Sequence, residues 1–196
     1  MKQKRLVELA ASNSESPYVQ KLLKDFLLAN SIAESTAFNL YNYASKEERR
    51  PAVTGVLFEK GKKVVTDCYS LLCFAEPYDS SLEGKIIGPT GAEILESTFP
   101  DYQKIYPKKR FFEYKFSLEE IGDICKLAKI EEKVNQNSTQ IEIRCPEESM
   151  YFNPKMLFKL AVYGRHIKAY AFMFYYEENI CLVKNNESWG VLMSMG

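Results

Sequence analysis

The stretch from Arg50 to Leu72 constrains the fold of this chain more than any other. It reads Arg-Pro-Ala-Val-Thr-Gly-Val-Leu-Phe, then a polar Glu59-Lys60-Gly61-Lys62 turn, then Val64-Val65-Thr66-Asp67-Cys68-Tyr69-Ser70-Leu71-Leu72. Pro51 presets an extended entry. Val53 to Phe58 favour a pleated strand, and Gly61 supplies the turn. The segment therefore predicts a β-hairpin entered from a polar run, with no catalytic chemistry of its own.

Elsewhere the pattern predicts an α+β chain. A short strand is expected at 4–10. Ser16-Pro17 opens a helix in the N-cap and first-position order, with Val19, Leu22, Leu23, Phe26 and Leu27 on one face and Asn30 at its end. Ser31-Ile-Ala-Glu34 is a capping box for a second helix running to about Tyr43. After the hairpin come a polar loop at 76–85, a brief strand at Ile86-Ile87 and a short helix to about Glu96. Phe111 to Phe116 alternates aromatic and charged residues and reads as a strand. A second capping box, Ser117-Leu-Glu-Glu120, opens a helix with Ile121, Ile124, Cys125 and Ala128 inward. The polar run Glu131 to Asn137 separates it from a strand near 139–145. Asn153-Pro154 opens a last helix carrying Met156, Leu157, Leu160 and Ala161 and stopped by Gly164. Strands at 167–176, 180–184 and 189–195 complete a meander.

Composition sets the outer bounds. A chain of 196 residues, 46% hydrophobic and 27% charged, is long enough for one large domain or two small ones and is not disordered in character. No apolar run reaches the ~18 to 20 residues of a membrane span. The basic start Met1-Lys2-Gln3-Lys4-Arg5 is followed by an apolar stretch that Glu8 interrupts, unlike a signal peptide. Cys68, Cys73, Cys125, Cys145 and Cys181 are scattered, without a Cys-x-x-Cys pair. They predict a reducing, cytoplasmic setting, with no disulfide framework and no metal site.

Two later segments match the hairpin in character: Phe99-Pro100-Asp101-Tyr102-Gln103-Lys104-Ile105-Tyr106-Pro107, and Val191-Leu192-Met193-Ser194-Met195-Gly196. With the hairpin they resemble, in order, the bacterial sliding clamp family, the β subunit of DNA polymerase III. That family shows an Arg-Pro-x-Leu-x-Gly-Val strand, then Ala-Thr-Asp-Gly-His-Arg-Leu, a Phe-Pro-Asp-Tyr-x-x-x-x-Pro linker and a closing Met-Pro-Met-Arg-Leu. Phe152-Asn153-Pro154 matches the start of its last helix. The resemblance runs loosely from about Phe38 to the end.

The resemblance implies a DNA-clamp-like fold of compressed βαβββ half-units, with antiparallel sheets and helices on one face. It implies a first domain at 1–98 with an extra N-terminal helix, a connector at 99–110 and a C-terminal domain at 111–196. Four helical units would make two compressed domains, and a ring of twelve half-units would then need a homo-oligomer of three chains. The implied chemistry is recognition: a hydrophobic pocket for linear peptide motifs of polymerases and other DNA-processing proteins. Carried over by position, its lining is Thr66, Cys68, Tyr69, Ser70 and Leu71, then Pro107, then Met156, Val191, Met193 and Met195. Methionines are polarizable and accept varied apolar anchors. The chain departs from the family at Cys68 for Gly, Tyr69 for His, Ser70 for Arg and Ser194 for Pro, which removes a positive rim. Leu71, Val191, Met193 and Met195 read equally well as core strand residues.

Double-stranded DNA is the second implied partner. The candidate DNA-facing residues are Lys46, Arg49 and Arg50, with Lys155, Lys159 and Arg165 on or just after the last helix. Lys155 and Lys159 share a helix face at i, i+4, as pairs on a plain solvated face also do. The chain's 26 basic and 26 acidic residues cancel, whereas tight DNA binders usually carry a basic excess. A clamp-derived regulator that binds peptides without encircling DNA thus stays open, as does an unrelated α+β interaction domain.

Nothing here predicts an enzyme or a bound cofactor. His166 is the only histidine, and no nucleophile motif accompanies it. The chain carries no phosphate-binding loop, dinucleotide fingerprint or His-Glu-x-x-His.

Overall fold

The computed structural model describes residues 17–18, 20–25, 39–94, 97–108, 117–135, 140–145, 148–169 and 171–195. The strands expected at 4–10 and 111–116 and most of the second expected helix lie outside them. Of the first expected helix, residues 20–25 are helical. The chain forms two compact units, one of residues 1–67 and 76–100, the other of 68–75 and 101–196. The segment 68–75 thus groups with the C-terminal elements, although the sequence places it inside the first domain.

In the first unit the hairpin forms as expected at its centre. Strands β1 (Val56–Glu59) and β2 (Lys62–Thr66) pair antiparallel, with Glu59 opposite Lys62. The two turn residues, Lys60 and Gly61, both take positive φ, 51° and 72°. That handedness matches the strand twist in a two-residue hairpin turn. The entry differs from expectation: Pro51–Thr54 is a 3-10 turn and extended pairing begins only at Val56. Pro51 has no N–H to give a ladder, and its fixed φ suits a helical first position.

β4 (Ile86–Ile87) pairs antiparallel with β1, giving the order β4-β1-β2. The short helix expected after it is absent from the described residues. Instead Gly91, at φ 84°, turns the chain, Gly88 N–H donates to the Ala92 carbonyl at 2.8 Å, and Glu93 bridges back to Ile87. Leu40–Tyr43 is a 3-10 turn capped by Asn39 rather than the end of an α-helix.

The predicted single strand 64–72 is broken. Cys68 adopts φ 74°, a left-handed conformation that ends one strand before the next, β3 (Ser70–Ala75), begins in the second unit.

The second unit contains α1 (Leu118–Asn135), β5 (Ile141–Arg144), β6 (Ser149–Phe152), α2 (Pro154–His166), β7 (Phe172–Tyr175), β8 (Ile180–Asn185) and β9 (Ser188–Met193). The last five run β-α-β-β-β, the half-unit order that the resemblance implies. β3, β9, β8 and β7 lie side by side in that order, all antiparallel, and β5 pairs with β6.

The Ser117 capping box forms in both directions: Glu120 N–H donates to Ser117 Oγ at 3.1 Å, and Ser117 N–H to Glu120 Oε2 at 2.8 Å. α1 then continues to Asn135, through most of the polar run expected to end it. Asn153 caps α2, its Oδ1 accepting from Lys155 N–H at 2.9 Å and Met156 N–H at 3.3 Å. Gly164 does not stop α2; it is buried inside the last turn, and the helix ends at His166. β6, unforeseen, is a short strand with Met150 and Phe152 buried and Tyr151 outward.

Candidate functional site

Several of the candidate peptide-docking residues lie on β9 or on the strand beside it. Its register against β3 pairs Ser70 with Leu192 and Leu71 with Val191. One step further, Met193 N–H donates to the Tyr69 carbonyl at 3.0 Å. Strand alternation puts Tyr69, Leu71, Val191 and Met193 on one face, and Ser70, Leu72, Gly190 and Leu192 on the other. β8 adds Ile180 beside Met193 and Leu182 beside Val191 to the first face.

Helix α2 covers the second face. The carbonyls of Cys73 and Trp189 accept the buried Tyr163 hydroxyl at 2.8 and 3.3 Å. Burial pushes that hydroxyl's pKa well above its ordinary range. Ser70 therefore lies on the α2 side, buried, and does not join the other docking residues.

The first face is crossed by residues 102–108. The rings of Tyr102 and Tyr106 sit 6.4 and 5.1 Å from that of Trp189. Pro107 is buried, and Lys108 N–H donates to Glu178 Oε1 at 3.3 Å in the turn before β8. Leu71 and Val191, on this face, are 2% and 1% exposed and belong to the core. Tyr69 and Met193, at its open end, are 66% and 47% exposed. Large apolar side chains left this open on a strand end are the informative exception in a packed sheet.

Beyond Met193 the chain is pinned twice. Ser194 N–H donates to the Asn179 carbonyl at 2.8 Å, and Met195 N–H to the Tyr151 carbonyl at 2.7 Å. Tyr151 is itself 40% exposed, so the edge presents Tyr69, Met193, Met195 and Tyr151. Met156 is half-buried in the first turn of α2. Cys68 is exposed beside Tyr69. Thr66 belongs to the first unit, where it is buried and its carbonyl accepts from Ser45 N–H at 3.1 Å.

Sequence reasoning passed over Tyr151, Trp189 and Glu178. The alternation Met150-Tyr151-Phe152 was the available signal for the first. The other two are recognisable only by what packs on them.

The candidate DNA-facing residues are divided between the two units. Lys46, Arg49 and Arg50 are exposed in the first unit, with Arg50 3.8 Å from Glu47. Lys155 and Lys159 lie one turn apart on α2. Arg165 turns away from them, into a cleft of about 310 Å³ between α1 and α2 that also holds Glu119, Asp123 and Lys126. Asp123 and Lys126 pair at 2.8 Å. α1 thus presents two carboxylates beside the basic helix.

Among the described residues no group of acidic, histidine and cysteine side chains is arranged to hold a metal ion, and no helix is long and apolar enough to cross a membrane.

Solved structures with the same arrangement decide the fold. The β chain of DNA polymerase III from Streptococcus pneumoniae superposes with a TM-score of 0.62 at 14% identity, over 86% of this chain and 63% of that one.

The chain has the fold of a bacterial sliding clamp.

The Helicobacter pylori β clamp bound to a DNA ligase peptide gives a TM-score of 0.61 at 13% identity, over 88% of this chain and 63% of that one. The β subunit from Streptococcus pyogenes gives 0.59 at 16%, over 87% and 64%. This clamp-fold chain therefore spans less than two thirds of the length of these clamps. No protein-family model matches its sequence, and no curated protein does.

Proposed function

We propose that this clamp-fold protein is a non-catalytic docking factor that captures linear peptide segments of DNA-processing partners. The observation that carries the reading is the open apolar edge of the second unit. There Tyr69 and Met193 are exposed on the same face, further along the strands than the buried Leu71–Val191 pair, with Met195 and Tyr151 continuing the edge. Peptide grooves combine a few apolar anchors with a firm floor, and a sheet strand pinned at both sides of Met193 supplies one. The Helicobacter clamp, which shares this fold, binds a DNA ligase peptide.

In this proposal Tyr69, Met193 and Met195 contact the peptide, Met156 and Cys68 flank it, and Leu71, Val191 and Pro107 form the support beneath. Thr66 and Ser70 act only by holding the strands. The factor works beside duplex DNA as a homo-oligomer, with Lys155 and Lys159 of α2, and Lys46, Arg49 and Arg50, toward the phosphates.

A second reading is favoured by Glu119 and Asp123, which stand across a cleft from Arg165. Carboxylates on the helix packed against α2 weaken phosphate attraction. In that reading the protein binds clamp partners without encircling DNA.

Fluorescence anisotropy with a labelled DNA ligase peptide tests the docking reading. Micromolar binding that weakens in Met193→Ala supports it; no binding at high micromolar protein sinks it. Retention on nicked circular DNA, lost on linearisation, supports encirclement, and a monomer in light scattering at micromolar concentration leaves only the second reading.

A further inference from the structure

Glu178 is a group beside this edge whose chemistry the docking reading does not use. It closes the 3-10 turn Tyr176–Glu178. The next residue, Asn179, at φ 55°, holds Ser194 through its carbonyl, and Ile180 pairs with Met193. Glu178 is therefore fixed within a few residues of the exposed methionine. From the other side Lys108 N–H, directly after Pro107, donates to its Oε1 at 3.3 Å. That bond is the only one its carboxylate makes among the described residues. Oε2 is buried and meets no donor there.

A buried carboxylate oxygen without a donor is costly, so its retention calls for an explanation. The bond from Lys108 N–H accounts for Oε1 but not for Oε2. Nor does any donor among the described residues reach Oε2. Glu178 as a whole is only half-buried, so a rotation of its side chain brings the free oxygen to an incoming donor without opening the backbone.

We infer that Glu178 is the specificity determinant of the docking edge and selects peptides that carry a lysine or arginine next to their apolar anchors. The inference rests on the docking reading. The peptide cation completes the hydrogen-bonding of Oε2, while Tyr69 and Met193 take the apolar side chains. A peptide with a carboxylate at the same place meets like charge in a partly desolvated site and is rejected.

The test uses the full chain and fluorescein-labelled nonapeptides that hold one Leu and one Phe among alanines, with a single Lys, Ala or Glu walked along the other positions. At one position the Lys peptide should bind roughly tenfold more tightly than the Glu peptide. Glu178→Gln should abolish that preference. Without peptide, Glu178→Gln should not lower Tm, since it removes a charge and keeps the oxygen that accepts from Lys108. Equal binding of the Lys and Glu peptides at every position overturns the inference and leaves docking intact. A fall in Tm with an unchanged charge preference also overturns it, by making Glu178 structural. If no peptide binds, the docking reading fails and this inference fails with it.

Discussion

The ring of Tyr163 occupies the space that a side chain at Gly190 would need: a Cβ built there would lie 2.9 Å from the ring carbons Cδ1 and Cε1 and 2.8 Å from Leu72 Cδ2. Helix α2 can sit this close to β9 only because position 190 is bare. The closeness also lets the Tyr163 hydroxyl reach the carbonyls of Cys73 and Trp189 on adjacent strands. Gly190→Ala should therefore cost about 1–3 kcal/mol by overpacking, and Tyr163→Phe about 1 kcal/mol through the lost hydrogen bonds. Urea unfolding followed by circular dichroism measures both. A neutral Gly190→Ala would mean that α2 does not seat as described.

Cys68 holds a left-handed conformation at φ 74° with a side chain that disfavours it. Cys68→Gly should stabilise the chain by about 1 kcal/mol, because glycine enters this region without the Cβ–carbonyl conflict. A rise in the urea midpoint at unchanged m value is the expected result. A lower midpoint would show that the exposed thiol contributes more than the strain costs.

Met193 and Tyr69 are separable from folding. Both project from a strand end whose backbone bonds survive truncation, so Met193→Ala and Tyr69→Ala should each change stability by no more than about 0.5 kcal/mol. Each should weaken DNA ligase peptide binding roughly tenfold or more. Leu71→Ala should instead destabilise the protein by about 2–4 kcal/mol, as a core truncation does. Thermal unfolding and anisotropy on the same preparations separate the two behaviours.

Acid should weaken the protein through its hydrogen-bonded carboxylates. Backbone and side-chain bonds from Ser117 hold the Glu120 pKa below its ordinary 4.5, and bonds from Ser149 and Arg144 do the same for Glu142. A depressed folded pKa means the unfolded chain binds more protons, so stability rises with pH across this window. It should be complete above about pH 5 and fall as pH drops through 4.5 and below. Glu120→Gln should flatten part of that loss, as read by helix signal against pH. An unchanged acid limb would remove the capping box from the account.

Much of the fold was legible because local chemistry enforced it. The Lys60-Gly61 turn, the Ser117–Glu120 box and the Asn153 cap each depend on residues within one turn of one another. Two helix ends differ from expectation. Gly164 reads as a helix stop, yet it is buried inside α2. The polar run after Ile130 reads as a loop, yet α1 continues to Asn135.

The sequence by itself determined the α+β class, the turn and cap positions, and the order of segments that gives a clamp fold. All of these are local or depend on order along the chain. Only the tertiary structure decided which candidate residues could act. Leu71 and Met193 look alike in a hydrophobic string and lie on the same face of adjacent strands, but residues 102–108 cross that face and leave only its end open. Likewise Glu178 is an ordinary turn carboxylate until Lys108, 70 positions away, takes one of its oxygens and the other is left without a donor. Burial is a property of what packs from elsewhere in the chain, so no local pattern encodes it.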